Sequence, residues 1–200
     1  MKKLTLILLT VFSINAFAQQ NDDYKKFIEQ IKQDSKVDKN DRAVFNLLND
    51  FYEQALQSDE GELKPEIPQR IKKLFEDKNT KNIQILKMFF AYQDHVSKAA
   101  AIGKRPNARF QVNLMNDLES EIKNTYDKIP ALIYIYKSEA LSSDGQNKEA
   151  AVVVTNGLAE YPNSTPLKVY KYLNTKDGGI KEDLLKNHPN HWMINQFGIK

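Results

Sequence analysis

The heptapeptide Pro130-Ala-Leu-Ile-Tyr-Ile-Tyr returns 36 residues later as Pro166-Leu-Lys-Val-Tyr-Lys-Tyr, with the proline and both tyrosines in register. A second echo joins Leu158-Ala-Glu-Tyr-Pro-Asn to Leu185-Lys-Asn-His-Pro-Asn. Each copy reads as the end of a helix, because proline cannot continue one. Self-similarity at a period of roughly 34 residues is the mark of stacked two-helix units, since each unit leaves an apolar face that only its neighbour can cover.

Apolar residues recur at helical spacing through the remainder of the chain, and strand signals are nearly absent. Tyr24, Phe27, Ile28 and Ile31 form a first stripe; Val44, Leu47, Leu48, Phe51, Tyr52 and Ala55 form a second, with Asn40 or Asp41 placed to cap it. These two helices are expected to pair antiparallel. The polar segment 57–66, with Gly61 and Pro65, reads as the longest loop, before a short helix opening near Pro68. Ile83, Leu86, Phe89, Phe90 and Val96 mark a longer helix ended by Gly103, two basic residues and Pro106. Phe110, Leu114, Leu118, Ile122 and Tyr126 keep a four-residue interval before Pro130 opens the next element.

Gly157 stands inside an otherwise helical run, where glycine costs up to about 1 kcal/mol relative to alanine. A close helix approach offsets that cost, and Ser138 and Ala150 suit the same contact. Gly145 follows Asp144 where the chain must reverse, and Pro162 stops the second helix. With Tyr134 and Val154 at bulky positions, residues 129–163 resemble one tetratricopeptide-type helical hairpin. The resemblance covers that hairpin and a degenerate unit from near Thr165, in which Asp177-Gly178-Gly179 interrupts the pattern. Lys137 departs from it, standing where the family prefers leucine. It implies an all-α chain of antiparallel helical hairpins stacked as a short tetratricopeptide-like α-solenoid, in one domain over 19–200. Within it, 19–126 matches the repeat poorly, and 127–200 holds the hairpin, the partial repeat and a C-terminal cap built on Trp192, Met193, Ile194 and Phe197.

Residues 1–18 read as a secretory signal peptide: Lys2 and Lys3, an apolar run from Leu4 to Phe12, then Ala16-Phe17-Ala18 before a mature start at Gln19. The run is far short of the ~20 residues that span a bilayer. With no cysteine in the chain, lipid attachment at the junction, disulfides and zinc-thiolate sites are all excluded. A periplasmic or secreted protein is expected. The 29 basic and 26 acidic residues become 27 and 26 once Lys2 and Lys3 leave. That near balance argues against a nucleic-acid partner, which demands a concentrated basic face.

The search for chemistry yields no site. The pair His188 and His191 is interrupted by Pro189 and lacks a third ligand; it reads as a helix-terminal His188 and a surface His191. The segment 34–41 superficially resembles a calcium loop, but Lys36 and Phe45 occupy ligand positions. Asp117, Glu119 and Glu121 read as a solvated helix face rather than an acid-base pair. No catalytic residue, cofactor or metal is therefore expected. The resemblance implies instead a scaffold that binds a protein or extended peptide on its first helices, and it places Ile135, Tyr136 and Glu139 on the groove, with Tyr170 roughly equivalent in the next unit. The rival expectation is a small-ligand or glycan-binding protein, in which exposed tyrosines and Trp192 stack on sugar rings.

Overall fold

The computed structural model describes residues 21–200; the expected leader, 1–18, lies outside them. The described chain is all-helical, and its one β-type contact is an isolated bridge between Lys36 and Lys81. The helices are α1 (Asn21–Lys32), α2 (Ala43–Tyr52), α3 (Glu66–Glu76), α4 (Ile83–Ala101), α5 (Ala108–Tyr126), α6 (Ala131–Ser143), α7 (Asn147–Glu160), α8 (Thr165–Thr175), α9 (Gly178–Asn187) and α10 (Trp192–Gln196). A π-helical turn, Glu53–Gln57, widens the end of α2.

Local signals set most helix ends. The Asn107 side chain accepts from the Phe110 amide at the start of α5, Ser164 does the same for Leu167 in α8, and Asp177 caps α9 at Gly179 and Ile180. Each cap satisfies a backbone donor that has no partner inside its helix. Gly103 and Gly145 adopt φ of +65° and +78° just past α4 and α6, conformations that glycine takes without strain. Asp41 accepts the Ala43 amide at 2.9 Å, although the residue directly preceding α2 is Arg42.

Helices α6 and α7 pack against each other across the turn at Gly145, and α6 also meets α5, α8 and α2. Helix α7 continues onto α8, and α8 onto α9. The expected glycine contact is present. A Cβ on Gly157 would lie 2.9 Å from Cβ and Cγ of Tyr134 and 3.0 Å from Leu167, so the glycine lets α7 approach both α6 and α8. Helices α6 and α8 begin 34 residues apart, at Ala131 and Thr165, not at the 36-residue shift of the sequence echo. Pro130 precedes its helix whereas Pro166 lies inside the first turn of α8.

Helix α1 does not form the expected pair with α2; it packs on α4 and reaches α5. Tyr24 and Phe27 contact Phe110, the Tyr24 hydroxyl donates to Asp117, and Lys32 pairs with Glu121. Buried Asn82 holds the α1–α2 connection aside. Its amide donates to the carbonyls of Asp38 and Asp41, and its oxygen accepts the Asp38 amide. The carboxylates of α5 also prove to be cross-links rather than a solvated face: Asp117 holds Tyr24, Glu119 pairs with Lys137 of α6, and Glu121 takes Lys32 and Gln84.

The C-terminal segment covers α8 and α9, where Met193, Ile194 and Ile199 are buried with Val169 and Leu184, and it also folds back onto the N-terminal half. The Trp192 amide donates to the Asp59 carbonyl at 3.0 Å, and its ring lies so close to Gly61 that a Cβ there would meet it at 2.6 Å. The Tyr52 and Ser164 hydroxyls hydrogen-bond each other, and the Thr165 amide donates to Gln57, tying α8 to the same region. His191 is fully buried, contrary to its reading as a surface residue. Its Nδ1 accepts the Met193 amide, which makes Nε2 the donor to the Leu56 carbonyl at 3.0 Å. Both nitrogens are thus engaged within the protein.

Candidate functional site

Three of the four expected contact residues come together. Tyr136 and Glu139 sit one turn apart on α6, spaced to share a face, and Tyr170 reaches them from α8, where its hydroxyl donates to the Glu139 carboxylate. Tyr92 joins from α4: its hydroxyl donates to the Tyr136 carbonyl at 3.3 Å, and the two rings lie 5.6 Å apart at 31°. Phe89 supports Tyr136 from beneath at 6.0 Å, and Gln93 hydrogen-bonds its hydroxyl. Phe197, just past α10, closes edge-on over Tyr170 at 6.2 Å and remains 39% exposed. Sequence reasoning missed Tyr92, Gln93 and Phe197, because nothing local ties α4 or the C-terminus to α6.

Ile135 is placed differently. It is 1% exposed and belongs to the core, so in this arrangement it offers a partner almost no surface. The helical rotation of about 100° per residue that turns Tyr136 outward turns its predecessor inward. Tyr134 is likewise buried, against Tyr161, with its hydroxyl donating to Glu160.

Burial governs the electrostatics of the cluster. Glu139, Tyr136 and Tyr170 are half-buried, but the rings crowding the Glu139 carboxylate strip it of water and raise its pKa above the ordinary carboxylate value. The Tyr170 hydrogen bond opposes that shift without cancelling it. Desolvation, followed by the field of Glu139, pushes the Tyr92 and Tyr136 phenols upward, and Tyr170 is raised by the same causes. At neutral pH the tyrosines are therefore protonated, and Tyr170 donates to the one carboxyl group among them.

Surface hollows lie away from this cluster. One of about 350 Å³ lies among Leu158, Pro162, Lys168, Gly179, Ile180 and Asp183, where Lys168 and Asp183 already pair at 2.6 Å. Trp192, the candidate platform for a sugar, has its ring packed against Gly61. No helix among the described residues is long and apolar enough to cross a membrane.

Comparison of the chain with protein-family models, curated proteins and solved structures returns no match. The functional reading stands on the residues and their geometry.

Proposed function

We propose that the protein is an exported, non-enzymatic, tetratricopeptide-like scaffold that holds a protein or extended peptide in a groove faced by α4, α6 and α8. The single observation that carries this reading is the convergence of Tyr92, Tyr136, Glu139 and Tyr170 from three helices into one cluster that reaches the surface. Aromatic side chains with polar tips are efficient anchors for a partner.

The stacked-hairpin architecture is supported by the order of packing, α6 on α7, α7 on α8, α8 on α9, together with the direct α6–α8 contact. A binding role in place of catalysis is supported by the make-up of the cluster, one carboxyl among protonated phenols, which supplies neither a nucleophile paired with a base nor a second carboxylate. The leader pattern over 1–18 supports an extracytoplasmic location, and the balanced charge favours a polypeptide partner over nucleic acid.

The test is affinity capture from a native extracytoplasmic extract with wild-type protein, Tyr136→Ala and Tyr134→Ala. Replacing an interface anchor commonly costs about 2 kcal/mol or more in affinity, whereas a residue packed between helices mainly lowers stability. Tyr136→Ala is expected to lose the captured partner while its fold survives, and Tyr134→Ala to lower the melting temperature. Undiminished capture by Tyr136→Ala removes the groove reading.

A further inference from the structure

Carboxylates that pack between the helices of this protein are generally matched. Glu119 holds Lys137, Glu121 holds Lys32, Asp183 holds Lys168, and Asp50 holds Arg70. Asp117 and Glu139 differ from these in taking a tyrosine hydroxyl, and of the two it is Glu139 that lies within a cluster of several tyrosines. Among the described residues no lysine, arginine or histidine nitrogen pairs with it, and its donor is the neutral hydroxyl of Tyr170. The basic residue nearest in sequence, Lys137, is committed to Glu119 on the opposite side of α6. A carboxylate deprived of both water and counter-charge is costly to a fold unless something else supplies the charge.

The surroundings specify what fits. Tyr92 and Tyr136 lie with tilted rings 5.6 Å apart, Tyr170 hydrogen-bonds the carboxylate, and Phe197, 39% exposed, packs edge-on against Tyr170. A flat, weakly hydrated cation can slide along ring faces and still direct paired N–H groups at a carboxylate. A compact ammonium is more strongly hydrated and gains less from such aromatic surroundings.

We infer that Glu139, walled by Tyr92, Tyr136 and Tyr170, is the receiving site for the guanidinium of an arginine side chain carried by the bound peptide. The inference rests on the groove reading and names the chemistry of its occupant. The arginine neutralises the one unmatched interhelical carboxylate of the cluster, and the tyrosines provide cation–π contact and exclude water. An acidic or purely apolar segment gains neither contribution, so the site selects basic partners.

The test is a titration of the intact mature protein, followed by NMR, with the blocked peptide Gly-Ala-Arg-Ala-Gly and with its citrulline counterpart, which has the same shape and no charge. The arginine peptide is expected to shift the resonances of Tyr136, Glu139 and Tyr170, with affinity at least about tenfold above the citrulline peptide, as befits a charge-assisted pair. Glu139→Gln, which keeps shape and the Tyr170 hydrogen bond, is expected to abolish that preference while its circular dichroism and melting curve confirm folding. Equal binding of the two peptides, shifts confined to other acidic residues, or no shift up to about 10 mM peptide overturns the inference. If the arginine preference is absent while Tyr136→Ala still loses the captured partner, the guanidinium site falls and the groove stands. If Tyr136→Ala retains the partner, the groove itself falls.

Discussion

The α6–α7 hairpin and the α9–α10 end are built on opposite principles. In the hairpin nearly every determining residue acts on a neighbour close in sequence: Gly145 reverses the chain, and Gly157 admits Tyr134 from the preceding helix. At the C-terminus, apolar packing on α8 and α9 is joined by contacts that reach far back along the chain. His191 meets a carbonyl 135 residues away, and Trp192 lies on Gly61. The hairpin is thus a local unit with low loop-closure cost, and the C-terminal clamp forms only once the rest of the fold is in place. The two regions meet at the tyrosine cluster, where α6 supplies Tyr136 and Glu139 and the C-terminal end supplies Phe197 against Tyr170.

Trp192 is where the two regions should separate most sharply. Removing this ring is expected to cost about 3 kcal/mol, the lower end for a large aromatic, because Trp192 is only partly buried. Urea denaturation measures the loss, and hydrogen exchange should show the 58–61 loop released while α6 and α7 stay protected. Equal loosening of the hairpin means the two regions are not separable. Gly157→Leu is next, at about 1–3 kcal/mol, since the new side chain has to displace Tyr134 and Leu167. A melting temperature that holds or rises contradicts the close contact.

A pH dependence sharpens the contrast further. Burial lowers the His191 pKa, partly offset by its hydrogen bond to Leu56 and the nearby Asp59 and reinforced by His188. The unfolded chain therefore binds the proton more readily, so stability falls as pH drops below about 6.5, the ordinary histidine value. Protonation would also set an Nδ1 hydrogen against the Met193 amide. His191→Phe is expected to flatten that slope at the C-terminus; an unchanged slope assigns it to another group, such as half-buried His95.

The smallest effect has the opposite sign. Because the Glu139 pKa is raised in the fold, the folded chain holds its proton more tightly, and stability declines as pH climbs above the ordinary carboxylate range. Glu139→Gln is expected to leave neutral-pH stability level or raise it, within about 0.5 kcal/mol, with the difference vanishing in acid. A clear loss at neutral pH in thermal melts would contradict the unmatched carboxylate.

What the sequence made legible follows this division. Helix ends at Gly103 and before Pro162, the helical glycine contact and the meeting of Tyr136 with Glu139 all depend on spacings within a few turns. The partner of α1, the burial of His191 and the role of Asn82 do not. Periodicity tells which face of a helix is apolar but not which helix covers it, and a contact such as Tyr24 to Asp117 joins residues 93 apart with no local trace. Ile135 failed as a surface residue for a related reason: aligning a groove position fixes the helix face only to within one residue. The proline echo misled by two residues, because a proline is equally at home before a helix and in its first turn.

The chain closes on itself and so holds α4, α6 and α8 in fixed relation around Glu139. Native-state hydrogen exchange at the Trp192 and Thr165 amides tests it most directly, since their acceptors, the Asp59 carbonyl and the Gln57 side chain, lie across the closure at 3.0 Å. Protection of both amides comparable to the core of α6 is the predicted result. Exchange as fast as a frayed terminus, with α6 and α7 still protected, would contradict it.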